Sequence, residues 1–176
     1  MKDSNFKTEL ERLRFEKIQA RQDWLSEEQI RFYWQRVAID LKMPKSAAGF
    51  EKLVIEFLKL SGHQAEKISV TGRFIDNTKT EVTSTGFRQT IGSKQYIPST
   101  SQKGSADISS TIYGISVKWE VKFSAGDKQS DHQKSYESAI QSSGGFYFVI
   151  RTLDQFYNTY IELLEHPKII LMKSMI

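Results

Sequence analysis

The chain carries at residues 104–122 the stretch GSADISSTIYGISVKWEVK, in which two acidic residues lie close to one predicted turn. From Ile115 onward every second residue is apolar, a pattern that is typical of a β-strand with one buried face. We therefore predict a β-hairpin at about 105–123 that carries Asp107 and Glu120 on its polar face.

The relative position of the two acids depends on the loop of this hairpin. If Tyr113 and Gly114 form a two-residue loop, counting outward places Asp107 directly opposite Glu120. Opposed residues have Cβ atoms about 4.5–5.5 Å apart, where like charges destabilise the pair. A divalent cation such as Mg²⁺ or Mn²⁺ would offset this repulsion, because hard cations prefer oxygen ligands. The alternatives are a three-residue loop, which shifts the pairing by one residue, and a solvated pair of acids neutralised by neighbouring lysines.

Composition restricts the kind of site that the chain can build. With 176 residues, of which 39% are hydrophobic, the chain can bury one sizeable core. The absence of cysteine excludes disulfides, thiolate nucleophiles and sulfur-ligated zinc, so a metal is expected to be bound by oxygen. We expect His63 and His132 to be solvated rather than ligands. The net charge of +4 is compatible with a polyanionic partner but is also common among proteins that bind none.

Neither a membrane span nor a secretory leader is expected. The chain has no apolar run of about 18 residues, the minimum for a spanning helix, and Met1 is not followed by a basic and then apolar segment. We therefore expect no membrane association and a cytoplasmic location.

A strand–helix–strand unit is predicted to follow the hairpin. Residues 131–143 indicate a helix, because Ser130 and Gln133 form a capping-box pattern and two glycines follow the helix. The next stretch, 146–151, is a predicted strand, and a further helix follows it. Two strands joined through a helix pair in parallel by a right-handed crossover. The sequence therefore predicts an α/β fold with a small mixed sheet flanked by helices.

Residues 1–45 are predicted to be a helical extension that precedes this fold. Ser26 is a predicted N-cap within it, and residues 47–62 form an amphipathic helix after it. The extension carries four aromatic residues that could contact a protein partner or a second copy of the chain, or pack on the following domain: Trp24, Phe32, Tyr33 and Trp34.

Residues 67–103 are rich in Thr, Ser, Gly and Lys and indicate an extended excursion with short β-like pieces. Basic residues alternate there with the aromatic residues Phe74, Phe87 and Tyr96, a mixture that suits a surface following a nucleic-acid backbone. A solvated loop is the alternative. The predicted DNA-binding residues are Arg73, Arg88, Lys94 and Lys103.

Four segments in the order G-S-A-D-I, W-E-V-K, D-K-Q-S-D-H-Q-K-S-Y and G-G-F-Y-F-V-I resemble the PD-(D/E)xK nuclease superfamily. Within it the chain is similar to the VRR-NUC domains of phage and bacterial proteins, although the Val-Arg-Arg signature is absent. The similarity covers about residues 50–157. It implies a restriction-endonuclease-like core in 46–176 and Mg²⁺- or Mn²⁺-dependent hydrolysis of DNA phosphodiester bonds.

The resemblance also implies a set of metal ligands. Asp107 and Glu120 match the metal-binding carboxylates, and the backbone carbonyl of Val121 matches a further ligand. The superfamily often adds an acid from the preceding helix, and Glu51 or Glu56 is the candidate here.

Three further residues match catalytic positions of the superfamily. Lys122 resembles the lysine that orients the attacking water or stabilises charge on the phosphorane, and an ion pair with Glu120 is its alternative role. Gln133 and Tyr136 resemble helix residues that line the site and contact the substrate phosphate. Gln133 also has a purely structural alternative as the third residue of the capping box.

Two other classes of function remain open. A nuclease fold without activity would serve as a DNA-binding or assembly module. Ala47, which occupies the position where the helix acid of the superfamily is first expected, favours this class, whereas the intact D…E-x-K pattern argues against it. A protein that interacts through its N-terminal helices is the second alternative.

Overall fold

The computed structural model describes residues 5–21, 26, 28, 29, 32, 44–69, 72–99, 101–124 and 126–176. Within these ranges the protein contains five helices, a four-stranded mixed sheet and two two-stranded hairpins. The helices are α1 (Asn5–Arg21), α2 (Ala47–Leu60), α3 (Asp131–Ser142), α4 (Leu153–Leu164) and α5 (Pro167–Lys173). The strands are β1 (Gln64–Lys67), β2 (Arg73–Asp76), β3 (Lys79–Val82), β4 (Arg88–Ile91), β5 (Lys94–Ile97), β6 (Ile108–Ile112), β7 (Ile115–Val121) and β8 (Phe146–Ile150).

The central sheet has the strand order β1-β6-β7-β8. The pairs β1–β6 and β6–β7 are antiparallel, whereas β7 and β8 are parallel and are connected through α3. The predicted mixed α/β fold with a small mixed sheet flanked by helices is therefore confirmed. The predicted helix at 131–143 and strand at 146–151 are confirmed to within one residue at their ends.

The β6–β7 hairpin has the two-residue loop. Ile112 pairs with Ile115, while Tyr113 and Gly114 both have positive φ angles of 46° and 79°. A non-glycine residue at positive φ is strained, so Tyr113 needs support from its surroundings. That support comes from the ring of His63, whose centroid lies 5.2 Å from the Tyr113 ring in an edge-on contact.

An aromatic cluster connects the helices to the sheet. The ring of Phe57 in α2 lies 5.4 Å from Phe6 of α1 and 5.5 Å from Phe156 of α4. Phe156 in turn contacts Trp119 of β7 at 4.9 Å, and all four side chains are buried. Successive side chains of a strand point to opposite faces of the sheet. Because Trp119 is buried in this cluster, Glu120 lies on the other face of β7.

The structure describes only part of the N-terminal extension. Helix α1 belongs to the same hydrophobic core as the sheet, since Phe6 and Leu10 are fully buried in it. Ser26 and Gln29 exchange the two hydrogen bonds of a capping box, as predicted for Ser26. Three of the aromatic residues proposed as a contact surface, Trp24, Tyr33 and Trp34, lie outside the described residues. The domain boundary at residue 45 stays a prediction.

The predicted excursion contains one long β-hairpin, residues 72–97, which we call the arm. Its base pairs Arg73 with Ile97, and its outer half pairs Lys79 with Ile91 in the same continuous register. The two halves are separate two-stranded sheets. Between them Gly92, with a φ of +96°, lies so close to Asn77 that an added Cβ would be 2.2 Å from the Asn77 carbonyl oxygen. Sequence reasoning found only short β-like pieces because neither face of the arm is buried, so polar and apolar residues are mixed on both faces.

None of the helices in the described part of the chain combines the length and the apolar composition that crossing a membrane requires.

Candidate active site

Three acidic side chains form what we call the carboxylate cluster: Glu51 of α2, Asp107 before β6 and Glu120 of β7. Glu120 is only 2% exposed and Glu51 7%, while Asp107 is half-buried. Burying charged groups is unfavourable unless each finds a partner. The partners of these acids therefore indicate what the cluster can do.

Asp107 is held against the strand that carries Glu120. Its Oδ2 accepts a hydrogen bond from the backbone N–H of Val121 at 2.8 Å. Burial raises the pKa of Asp107, the Val121 hydrogen bond opposes that rise, and the negative charge of Glu51 adds to it. This carboxyl is thus destabilised as an anion, and a nearby cation would relieve it.

Glu120 lies at the centre of a buried polar network. Lys122 Nζ is 2.8 Å from Glu120 Oε1, and Gln133 Nε2 donates to the same oxygen. Lys122 also donates to Gln133 Oε1 at 3.1 Å. Burial raises the pKa of Glu120, the Lys122 hydrogen bond lowers it, and the charge of Asp107 raises it further. The structure thus brings together four of the predicted site residues.

Gln133 completes the predicted capping box and also contacts the carboxylate cluster. Its backbone N–H donates to Ser130 Oγ at 3.3 Å, and its side-chain Oε1 accepts from the Ser130 N–H at 2.9 Å, so the capping box is formed. The same side chain contacts Glu120 and Lys122. The cap therefore fixes the start of α3 in the position from which Gln133 reaches the cluster.

Gly104 allows the loop before Asp107 to lie against the start of α3. Its φ is +87°, and an added Cβ would lie 2.5 Å from the carbonyl carbon and oxygen of His132. These two atoms belong to the backbone of α3 and cannot move without displacing the start of that helix. The glycine of the G-S-A-D-I segment thus permits the loop before β6 to approach the start of α3, the helix that carries Gln133.

Tyr147 of β8 is a site residue that sequence reasoning missed. Its hydroxyl donates to Glu120 Oε2 at 3.3 Å, and burial together with the Glu120 charge raises its pKa. Tyr136, which was predicted to line the site, makes an edge-on ring contact with Tyr147 at 6.3 Å between centroids. The parallel register of β7 and β8, which aligns Glu120 with Val149, also places Tyr147 near Glu120. This register could not be predicted from the sequence.

The two candidate acids of α2 have different surroundings. Glu51 Oε2 lies 2.5 Å from Lys67 Nζ, and its charge acts on Asp107. Glu56 instead makes a two-bond ion pair with Arg14 of α1, both bonds at 2.8 Å. Glu51 is thus associated with the cluster, and Glu56 with the helix packing.

The oxygen atoms of the carboxylate cluster can be compared with the ligands that a metal ion requires. No group of three or more Asp, Glu, His or Cys side chains suited to holding a metal ion occurs among the described residues. Mg²⁺ nevertheless often binds through one or two carboxylates and keeps several water ligands. Asp107, Glu120 and the Val121 carbonyl fit that kind of site by their chemistry. Lys67 and Lys122 place positive charge beside the acids.

The predicted DNA-binding residues lie in two places. Arg73, Arg88 and Lys94 are exposed on the arm, whereas Lys103 is in the loop next to Gly104. None of the ion pairs formed among the described residues joins these four side chains to the carboxylate cluster; Lys94 pairs with Asp76 of the arm at 3.4 Å.

His63 corrects one expectation. It is buried rather than solvated, and its Nε2 lies 2.9 Å from the Tyr160 hydroxyl. The position after the Gly62 helix end turns its ring inward, where it packs beneath the Tyr113 loop.

Comparison of the chain with protein-family models, with curated proteins and with solved structures finds no match in any of the three. The resemblance to the PD-(D/E)xK superfamily therefore stays a prediction.

Proposed function

We propose that the protein is a metal-dependent nuclease of the PD-(D/E)xK type, with a restriction-endonuclease-like core, that hydrolyses DNA phosphodiester bonds. The observation that carries the proposal is the buried network of Glu120, Lys122 and Gln133 beside Asp107. A purely structural role explains it poorly, because replacing a buried ion pair by apolar residues is often neutral or stabilising. Buried acids with raised pKa values and a coupled lysine are more typical of a catalytic site.

The metal would be held by Asp107, Glu120 and the carbonyl of Val121, with Glu51 as the candidate helix acid. When bound, Mg²⁺ or Mn²⁺ supplies a Lewis acid and lowers the pKa of a water molecule. The raised pKa values of Asp107 and Glu120 mean that both carboxylates gain from a neighbouring cation.

Lys122 is assigned to the reacting phosphate. Its ammonium group is a compact charge that can contact a phosphate oxygen as negative charge develops there. The hydrogen bond from Lys122 to Gln133 and the ion pair to Glu120 orient the amine beforehand. Such orientation avoids reorganisation during the reaction.

One observation favours a second candidate function. Two of the three carboxylates of the cluster already have a cationic partner, since Lys67 pairs with Glu51 and Lys122 with Glu120. A nuclease-fold module that binds DNA without cleaving it would retain this arrangement. Cleavage assays decide between the two.

The test is cleavage of a panel of DNA substrates, including duplex, single-stranded, nicked and flap DNA, with Mg²⁺ and with EDTA. Wild type should cleave at least one substrate only with Mg²⁺, and Lys122→Met should lose at least about a hundredfold in rate. DNA affinity in Ca²⁺ should stay nearly unchanged, because the interaction acts mainly in the transition state.

Loss of the lysine also leaves Glu120 buried without its cation, so folding must be monitored. Arg14→Met is the matched control, because it removes an ion pair with Glu56 away from the cluster. It should lower the melting temperature but retain cleavage per folded molecule. Absence of Mg²⁺-dependent cleavage by a folded, DNA-binding wild type would support the inactive module instead.

A further inference from the structure

The base of the arm exposes a pair of aromatic side chains. Phe74 and Tyr96 are directly opposed in the β2–β5 pair and therefore lie on the same face. They are 78% and 53% exposed, with ring centroids 5.0 Å apart and planes inclined by 51°. Large apolar side chains stabilise a fold when they are buried, so leaving two of them exposed gives up that stabilisation. An exposed pair of this kind is typical of a recognition surface.

The Tyr96 ring lies against the backbone of Gly72. A Cβ added at Gly72 would lie 2.3 Å from the Tyr96 hydroxyl oxygen and 2.5 Å from the Ile97 carbonyl oxygen. A side chain at residue 72 would therefore displace the ring, so the glycine allows Tyr96 to take its place beside Phe74.

The charge of the arm indicates the sign of the ligand. Between residues 72 and 97 the arm has four basic and two acidic side chains. Lys94, two residues from Tyr96 on the same strand, lies on the same face as the aromatic pair, and Arg88 shares that face by its register opposite Val82. Lys94 Nζ is 3.4 Å from Asp76, a pair so exposed that a phosphate can compete for the lysine.

We infer that the arm binds unpaired nucleotides of DNA, whose bases stack on Phe74 and Tyr96 while a neighbouring phosphate contacts Lys94. Arg88 lies about 26 Å from Tyr96 along the strand, at about 3.3 Å per residue, and would meet only more distant phosphates of the same DNA strand. Every base has a flat π-face, and this face is free only where the strand is single or splayed. In a duplex the faces are covered by neighbouring base pairs, so a stacking surface selects single-stranded regions. The inference extends the proposed function by naming its substrate class, but the binding step itself needs no catalysis.

The test measures binding by the full chain in EDTA, using fluorescence anisotropy of a labelled oligothymidylate and of a duplex of the same length. Wild type should prefer the single strand. Phe74→Leu, which keeps an apolar side chain but removes the ring, should weaken single-strand binding by about 5- to 150-fold, from about 1–3 kcal/mol for one stacked base. Phe74→Trp should retain single-strand binding, because it keeps an aromatic ring. In both variants the affinity for the duplex should change less than twofold.

Phe87→Leu is the matched control. Phe87, the third aromatic residue of the predicted nucleic-acid surface, is 75% exposed near the tip of the arm and lies outside the aromatic pair. Because the inference confines stacking to that pair, the same substitution at Phe87 should leave affinity unchanged. Lys94→Gln should reduce the salt dependence of single-strand binding by about 0.7 in log–log slope, which corresponds to one lost phosphate contact.

Several results would overturn the inference. Unchanged affinity in Phe74→Leu, equal losses for single strand and duplex, or an equal loss in Phe87→Leu would each exclude a specific stacking site. The proposed catalysis fails independently: single-strand binding that depends on Phe74, in a protein without Mg²⁺-dependent cleavage, would retain the arm's role and reject the nuclease.

Discussion

Gln133 of α3 donates a hydrogen bond to the buried carboxylate of Glu120 on β7 and thereby joins the helix to the strand on which the cluster is built. The same amide completes the capping box with Ser130. Its structural role and its proposed catalytic role therefore depend on the same side chain, and a single substitution cannot separate them.

A pair of substitutions can separate these contributions. Gln133→Ala removes both the cap contact and the contacts to Glu120 and Lys122, whereas Ser130→Ala removes only the cap. Each should lower stability by about 0.5–2 kcal/mol, the usual range for a lost N-cap. Only Gln133→Ala should also lower the cleavage rate of the folded protein. Chemical denaturation measures the first effect and single-turnover cleavage the second; equal activity in the two variants would reduce Gln133 to a capping residue.

If the proposed metal site is present, adding Mg²⁺ or Mn²⁺ should raise the melting temperature, because a ligand that binds only the native state stabilises that state. Differential scanning fluorimetry should show the rise in wild type and its loss in Asp107→Asn, since the amide lacks the charge that binds the ion. An equal rise in this variant would place the metal elsewhere in the protein.

The two acids of α2 make the same experiment more specific. Glu51→Gln should reduce the metal-induced rise, because Glu51 interacts with Asp107. Glu56→Gln should leave it intact, although loss of the Arg14 ion pair should lower the melting temperature with and without metal. The opposite pattern would identify Glu56 as the helix ligand.

Gly104→Ala should lower the cleavage rate although residue 104 is not itself in the cluster. The added methyl group would meet the His132 backbone at 2.5 Å and displace the start of α3, and with it Gln133. Gly86→Ala is the matched control, because Gly86 has a similar φ of +82° but open space around it. Both variants introduce left-handed strain, of about 1–3 kcal/mol. Equal activity in Gly104→Ala and Gly86→Ala would show that the close approach to His132 is unimportant.

The parts of the fold that the sequence predicted are those with strong local signals. The alternation in β7 and the capping box of Ser130 and Gln133 each define an element without help from distant residues. The arm was not recognised because neither of its faces is buried, so no period-two pattern marks its strands. Helix α5 (Pro167–Lys173) was also missed, since its seven residues are too few to show a helical period.

The site was predictable only where its residues are close in sequence. Asp107, Glu120 and Lys122 lie on one hairpin, so its register was enough to group them. Tyr147 and Lys67 reach the cluster through the register of the β7–β8 pair and through the β1–β6 pairing. The sequence predicts that β7 and β8 are parallel but neither their register nor the β1–β6 pairing. Choosing between Glu51 and Glu56 required the position of α1, because Arg14 of that helix pairs with Glu56.

His63 predicts a pH dependence of stability that is independent of the candidate active site. Its ring is buried against Tyr160 and Tyr113, and burial lowers its pKa from the ordinary value of 6.5, because the charged imidazolium is disfavoured there. Since the folded state binds the proton less readily than the unfolded state, the stabilising contribution is present above pH 6.5 and is lost as the pH falls toward the lower folded-state pKa. The pKa of Tyr160 is raised to about 12, so this neighbour stays neutral throughout that range.

Urea denaturation at a series of pH values should therefore show that wild type loses stability below pH 6.5 relative to a variant without this imidazole. The comparison is needed because the raised pKa values of Asp107 and Glu120 act in the opposite direction as the pH falls. His63→Gln should flatten this loss of stability, because glutamine cannot be protonated but can still hydrogen-bond the Tyr160 hydroxyl. His132→Gln is the control: this histidine is exposed at the start of α3, and its replacement should leave the pH profile of wild type. If His63→Gln retained the full loss of stability at low pH, the dependence would have to come from groups other than the buried imidazole.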